Sequence, residues 1–435
     1  MSIAELDQKH IWHPFTQMAE WEPLSIVRGE GNFLFDEAGQ KYFDGVSSLW
    51  CNVHGHANPR LNRALIAQAE KLAHSTFLGL THEPGVRLAA AILEVVPQNL
   101  TRVFYSDSGS ASVEIALKQS FQYWQLQGRS EKTKFVRFEN AYHGDTLGAV
   151  AVGGIDVFHK VFGPLLMHSI AVRSPYEPSW SKDAGRGLEL ALADLDHVLQ
   201  NADSIAALVM EPLVQGAAGM LTHPPGFLSA VAKRCAAAGI HLIVDEVATG
   251  FGRTGTLFAC EKEDVEPDFL CLAKGISGGY LPLAATLCTE GIFAAFLGAR
   301  SEMKHFFHGH TYTANPLACA VGIESLAMLR ERAADVAALA ALVTSTARTF
   351  DGKPYVREVR TCGTMVGIEL GDANGGELPW DKFVGAKVCN IARRQGMMLR
   401  PLGDTIIWMP PLSSSKTEIE SLRQATETAI QECFT

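Results

Sequence analysis

Lys274 closes the apolar run Phe269-Leu270-Cys271-Leu272-Ala273 and is followed by Gly275-Ile276-Ser277-Gly278-Gly279-Tyr280, an odd setting for a surface lysine. An amine at the C-terminal end of a buried strand is partly desolvated, which lowers its pKa and makes it nucleophilic enough to join a carbonyl. The plainer alternative is a strand-end lysine pointing into water. Asp245 likewise follows Ile240-His241-Leu242-Ile243-Val244, so a carboxylate closes a second buried strand, where open α/β sheets place their ligands. A fixed anion there would keep a pyridine nitrogen protonated and make its ring an electron sink; an ordinary helix cap is the alternative. Tyr105-Ser106-Asp107-Ser108-Gly109-Ser110 joins a strand to a helix, and backbone N–H groups at that helix start would cradle a phosphate. Tyr142, in Tyr142-His143-Gly144-Asp145 after another β-like run, could stack on a flat ring or be a buried tyrosine with a satisfied hydroxyl.

Two other chemistries compete. Gly250-Phe251-Gly252-Arg253-Thr254-Gly255 matches the dinucleotide fingerprint and follows a strand, which raises an NAD-dependent dehydrogenase. A full helix must open at those glycines, however, and the stretch 257–269 is short, charged and stopped by Pro267. That reading also leaves Lys274 without a task. His54-Gly55-His56 and His308-Gly309-His310 raise a metal, but neither pair has acidic or cysteine partners in sequence to complete a site. No metal ligand set is assigned.

Positioning these residues requires an α/β framework. Short β-rich runs at 102–105, 134–138, 206–210, 241–244 and 269–272 alternate with helical patterns. The pattern at 110–127 puts Val113, Ala116, Leu117, Phe121 and Trp124 on roughly one face. Near the N-terminus, Asp36-Glu37-Ala38-Gly39-Gln40 reads as a turn between strands. The last 120 or so residues combine an Ala-rich helix with strands near 364–370 and 406–409, and the clearest surface loop is Asp372-Ala373-Asn374-Gly375-Gly376-Glu377. The two chain ends are expected to form one smaller domain, with 1–58 and 317–435 flanking a large domain at 59–316.

The composition excludes several classes of partner. With 47% hydrophobic and 19% charged residues the chain can bury a large core, so disorder is excluded. The net charge of −10 argues against nucleic acid or an anionic membrane as the main partner. Acids within Met1-Ser2-Ile3-Ala4-Glu5-Leu6-Asp7 do not suit a secretion signal, and apolar runs such as 88–96 and 333–343 fall short of the roughly 20 residues a membrane span needs. The nine cysteines are scattered singly, as expected of reduced thiols in a cytoplasmic protein.

Taken together, these motifs resemble the class III aminotransferases over almost the whole chain. The resemblance rests on Ser106-Asp107-Ser108-Gly109-Ser110, on Tyr142-His143-Gly144-Asp145-Thr146, on Val244-Asp245-Glu246-Val247-Ala248-Thr249 with the glycine string that follows, and on Ala273-Lys274-Gly275. It implies a fold-type I homodimer with a mostly parallel seven-stranded sheet, a smaller α+β domain from both chain ends, and two active sites at the subunit interface. It implies pyridoxal 5'-phosphate (PLP) as cofactor, with Lys274 as its covalent anchor and acid-base group, Asp245 at the ring nitrogen and Tyr142 over the ring. Gly109 and Ser110 would bind the phosphate, joined by Thr311 from the partner subunit. Arg400 would receive a substrate carboxylate, Trp50 would line the substrate channel, and Phe15, Gly309 and Arg253 would supply further substrate contacts. His10-Ile11-Trp12-His13-Pro14-Phe15-Thr16, Asp44-Gly45-Val46-Ser47-Ser48-Leu49-Trp50, Phe307-His308-Gly309-His310-Thr311-Tyr312 and Leu399-Arg400-Pro401-Leu402-Gly403 are similar to the biotin-synthesis branch of that family. The reaction implied is amination of 8-amino-7-oxononanoate to 7,8-diaminononanoate. Many members using S-adenosylmethionine as donor have tyrosine at Phe15, tryptophan at Leu49 and tyrosine near Ile407; other members use lysine, and both donors stay open. An ω-amino-acid:pyruvate aminotransferase is the alternative of the same fold.

Overall fold

Ile205–Met210 is buried at all six positions, which only a strand covered on both faces achieves. It sits inside a seven-stranded sheet of order Leu100–Ser106, Ala284–Thr289, Phe269–Leu272, His241–Asp245, Ile205–Met210, Lys134–Phe138, Ser169–Val172. Six strands run parallel and Ala284–Thr289 runs against them. The structure, a computed structural model, describes residues 2–435; Met1, at the head of the N-terminal stretch considered above, lies outside it.

Alternation along the strands sorts the core into two layers. Ala207, Val209, Ile243, Phe269 and Cys271 pack under Val113, Ala116 and Leu117 of the helix Gly109–Leu126. Leu208, Met210, Leu242, Val244 and Leu270 face the other way, into the main core with Leu195, Phe227 and Val231. Phe121, expected on the buried stripe of that first helix, is 40% exposed, whereas Trp124 one turn on packs against the sheet and donates to the Ala206 carbonyl.

The chain ends meet in a second body of structure. Phe33–Asp36 and Lys41–Asp44 form the anticipated hairpin, its turn held by Asp36 Oδ1 accepting from the amides of Ala38 and Gln40. Lys41–Asp44 then pairs in parallel with Met397–Met398 from the far end of the sequence. A four-stranded sheet of Val356–Cys362, Met365–Leu370, Thr405–Trp408 and Arg400–Leu402 lies alongside. All nine cysteines are free, and no helix among the described residues is long and apolar enough to cross a membrane.

Three buried histidines give this core an acid limit. Burial pushes His54 down to about 4, and His223 and His241 down to about 3, from an ordinary value of 6.5. The unfolded chain therefore takes up protons that the folded one refuses, so their contribution is complete above pH 6.5 and is lost as pH falls toward 4. Each histidine steepens the loss by about 1.4 kcal/mol per pH unit. Urea unfolding of the cofactor-free protein is expected to show a lower midpoint at pH 5 than at pH 7. His223→Leu should flatten that dependence, since neither nitrogen of the buried ring has a hydrogen-bond partner to lose.

Candidate active site

The C-terminal ends of five parallel strands, and the turns that follow them, meet at one cavity of about 670 Å³. Trp50, Ser110, Tyr142, Glu211, Asp245 and Lys274 all border it. Edge-to-centre placement follows the rule for open α/β sheets, in which ligands sit beyond the carboxyl ends of the strands.

Lys274 follows Phe269–Leu272 by two residues and has φ 47°, a left-handed conformation that turns its side chain into the cavity at the start of a short 3-10 turn. Burial pushes its amine below the usual lysine range, against the pull of the Asp245 and Glu211 carboxylates. Its Nζ lies 4.9 Å from the centre of the Trp50 ring. The amine is thus buried at the cavity rather than held in bulk water.

Asp245 ends its strand almost fully buried. Oδ1 accepts from the Val247 amide at 3.0 Å, and Oδ2 accepts from His143 Nδ1 at 2.7 Å. A carboxylate accepts only, so the partner fixes the proton on Nδ1. The other ring nitrogen of His143 is buried without a partner, which directs the dyad's free capacity to the site.

Tyr142 stands across the cavity, its hydroxyl donating to Asp145 Oδ2 at 2.8 Å and its ring parallel to that of His159. Burial and the Asp145 carboxylate hold the phenol well above its ordinary value, so it stays protonated and serves as an apolar plane with a polar tip.

The candidate phosphate cradle is the start of Gly109–Leu126. Ser108 caps the helix by accepting from the Ala111 amide, which leaves the first-turn amides of Gly109 and Ser110 without an intrahelical acceptor. Gly109 is required for packing, because a Cβ there would stand 2.6 Å from Val247 Cγ1. Ser110 Oγ accepts from the Thr146 amide and pairs with the Thr146 hydroxyl at 2.7 Å, tying the helix start to the Tyr142 turn.

The remaining anticipated residues are spread more widely. Phe15, 60% exposed, packs edge-on against Phe158, which in turn contacts Tyr142, so it belongs to the rim. Arg253 is not at the cavity. Its guanidinium is buried and donates to the carbonyls of Pro410 and Asn52, and burial pushes it down to about 10. The polar substrate contact expected of Arg253 is thus corrected to a tie between two backbone segments. Gly309 and Thr311 lie in an extended loop that exposes Phe307 and Tyr312, away from this chain's own cavity. Arg400 does not border the cavity either. It pairs directly with Ile407 across two antiparallel strands, and such partners share a face. Ile407 packs with Trp50, Met365 and Met409, so Arg400 stands on the same side as that apolar wall.

Glu211 is the residue that sequence reasoning missed. It follows Ile205–Met210 just as Asp245 and Lys274 follow their strands, and that position alone could have found it. Its carboxylate accepts from the amides of Tyr142 at 3.1 Å and Gly216 at 2.9 Å, and burial pushes it up to about 7. The glycine string 250–255 leads into a short 3-10 turn rather than a full helix, so it lacks the helix N-terminus that a dinucleotide needs. Among the described residues no group of three or more metal-binding side chains stands together.

PLP fits these residues. A lysine of lowered pKa, a buried carboxylate held by a histidine, an aromatic plane and free helix-start amides meet at one cavity. They match the aldehyde, ring nitrogen, ring face and phosphate of that cofactor.

Comparison with known proteins agrees with the geometry. A family model described as aminotransferase class-III matches residues 16–430. The adenosylmethionine-8-amino-7-oxononanoate aminotransferase of Geobacter sulfurreducens is 46% identical, across 99% of this chain and 97% of that protein. A crystal structure of the enzyme of the same name from Methanocaldococcus jannaschii superposes with a TM-score of 0.93 at 40% identity, covering 99% of this chain and 98% of that one. An amine transaminase from an uncultivated Pseudomonas species, solved in its PLP-bound form, gives 0.92 at 34% identity, covering 98% and 99%.

Proposed function

Since the chain belongs to the class-III aminotransferase family, we propose that it aminates 8-amino-7-oxononanoate to 7,8-diaminononanoate, a step of biotin synthesis, with S-adenosylmethionine or lysine as the amino donor. The observation that carries the substrate assignment is the apolar cluster of Trp50, Met365, Ile407 and Met409: Trp50 borders the cavity beside Lys274, the other three pack in the core with it, and Ile407 shares a face with Arg400. A linear acid whose ketone and carboxylate are separated by methylenes fits such an arrangement, with the ketone at Lys274 and the carboxylate gripped by a guanidinium. The names of the relatives support the same substrate.

Bound PLP supplies an aldehyde for covalent capture of amines and a ring that accepts electrons. Lys274 would hold it through Nζ and, as a free amine, would carry at that same atom the proton that transamination has to move. Asp245, fixed by His143 and the Val247 amide, holds the positive charge of the ring nitrogen. Tyr142 covers the ring, and the Gly109 and Ser110 amides hold the phosphate. In this reading the protein is a cytoplasmic homodimer, divided at 1–58, 59–316 and 317–435, and Thr311 on its exposed loop completes the partner's phosphate site.

Arg400→Ala is expected to raise the acceptor KM about 30-fold, the effect of about 2 kcal/mol, while leaving the donor half-reaction near its normal rate. Unchanged acceptor kinetics would remove Arg400 from the assignment. A substrate panel tests the whole reading: the holoenzyme should aminate 8-amino-7-oxononanoate with S-adenosylmethionine or with lysine. Failure with both donors, alongside turnover of β-alanine and pyruvate, would identify an ω-amino-acid:pyruvate aminotransferase instead.

A further inference from the structure

Three residues leading into the cavity wall adopt a backbone conformation that L-residues avoid. Ser47, Ser48 and Trp50 have φ of 50°, 59° and 66°, and such strain persists only where the surroundings over-determine it. The strongest restraint is Asp44, whose side chain is fully buried. Its Oδ1 accepts from the Ser48 amide at 2.7 Å, and its Oδ2 accepts from Ser48 Oγ at 3.0 Å and from His56 Nε2 at 2.9 Å. His56 cannot retreat. Its backbone is bridged to Gly31, and its Cβ and Cγ sit 2.7 Å from where a Cβ on Gly29 would be. Two further ties hold the same segment: Ser47 Oγ donates to the Met409 carbonyl, and Arg253 donates to that of Asn52.

All of these restraints converge on Trp50. The ring is 8% exposed and faces the Lys274 amine, and its Cζ3 comes within 3.3 Å of where a Cβ on Gly216 would stand. Its indole N–H is buried without a hydrogen-bond partner, so no polar contact of its own holds the ring in place. The backbone must do so.

We propose that Asp44 is a positioning residue of the active site: by clamping Ser48 in the left-handed region, and braced by His56, it sets the Trp50 ring against Lys274 and so fixes the wall that the acceptor chain lies on. The role of that wall rests on the substrate reading above. The clamp itself does not.

A double-mutant cycle on the holoenzyme tests it, using wild type, Asp44→Ala, Trp50→Ala and the pair together. Asp44→Ala is expected to raise the KM for 8-amino-7-oxononanoate about 10-fold with kcat within about 3-fold, and to change KM less than about 2-fold when Trp50 is already alanine. An equal factor in both backgrounds, or no rise in KM, overturns the proposal. Ser48→Gly in the Asp44→Ala background should restore KM, since glycine takes this backbone conformation without strain. Should Asp44→Ala not fold, Ser48→Ala carries the same cycle with the buried carboxylate and His56 still paired, at an expected factor of about 3.

A second readout needs no turnover. The difference between wild type and Trp50→Phe in indole quenching on loading with PLP is Trp50's share, and Asp44→Ala (or Ser48→Ala) should remove at least half of it. An unchanged share overturns the positioning role. A chain that leaves 8-amino-7-oxononanoate untouched yet loses that share refutes the substrate and keeps the clamp.

Discussion

Lys274→Ala is expected to yield a folded protein whose yellow colour washes out, is not fixed to the polypeptide by borohydride, and whose kcat/KM for transamination is lower by about 10⁴-fold or more. Two functions are lost together. On the reading proposed above, the amine anchors the cofactor and the same nitrogen carries the proton that transamination must move. Burial has already lowered the affinity of this amine for protons, so it gives one up more readily than an exposed lysine does. Lys274→Arg should fail nearly as completely, because a guanidinium does not give up its proton to become a nucleophile. Peptide mapping after borohydride treatment checks the assignment: cofactor found on any lysine other than 274 in the wild-type protein would displace the mechanism.

Asp245→Asn is the second large effect, and a cleaner one. The amide matches the carboxylate in size, and its oxygen can still accept from His143 Nδ1 or from the Val247 amide. What disappears is the buried negative charge. Losing the partner of a buried cation costs about 3–5 kcal/mol, so kcat should fall about 10²–10⁴-fold while the thermal midpoint moves little. Activity within about 5-fold of wild type would mean that the ring nitrogen is not held by this group. Because Asp245, Glu211 and Lys274 share one cavity, the pH profile of the variant should shift as well as its height.

The central sheet was legible where strand residues are bulky. Lys134–Phe138 and Phe269–Leu272 match the sequence pattern to the residue, since β-branched, aromatic and Leu side chains there are bounded by polar or turn-forming neighbours. Ala284–Thr289 and Ser169–Val172 were not legible. The first is Ala-Ala-Thr-Leu-Cys-Thr, mostly small residues of weak strand preference that are buried between Leu100–Ser106 and Phe269–Leu272, and the second is a four-residue edge strand.

The chemistry followed the same rule. Asp245 and Lys274 stand out because each interrupts an apolar run, and Glu211 obeys the identical logic but is masked by the proline after it. Arg253 was named through the resemblance alone, and only the fold shows its donors bonded to the Pro410 and Asn52 carbonyls, far along the chain in opposite directions. Nothing in Asp44-Gly45-Val46-Ser47-Ser48 announces a left-handed serine pair, because that conformation is imposed by partners as distant as Met409.

The contact between Gly109 and Val247 ties two ends of the cofactor site into one lever. Val247 presses its methyls against the glycine while its amide holds Asp245 in place. The start of that helix and the Asp245 carboxylate therefore share Val247 as a common support.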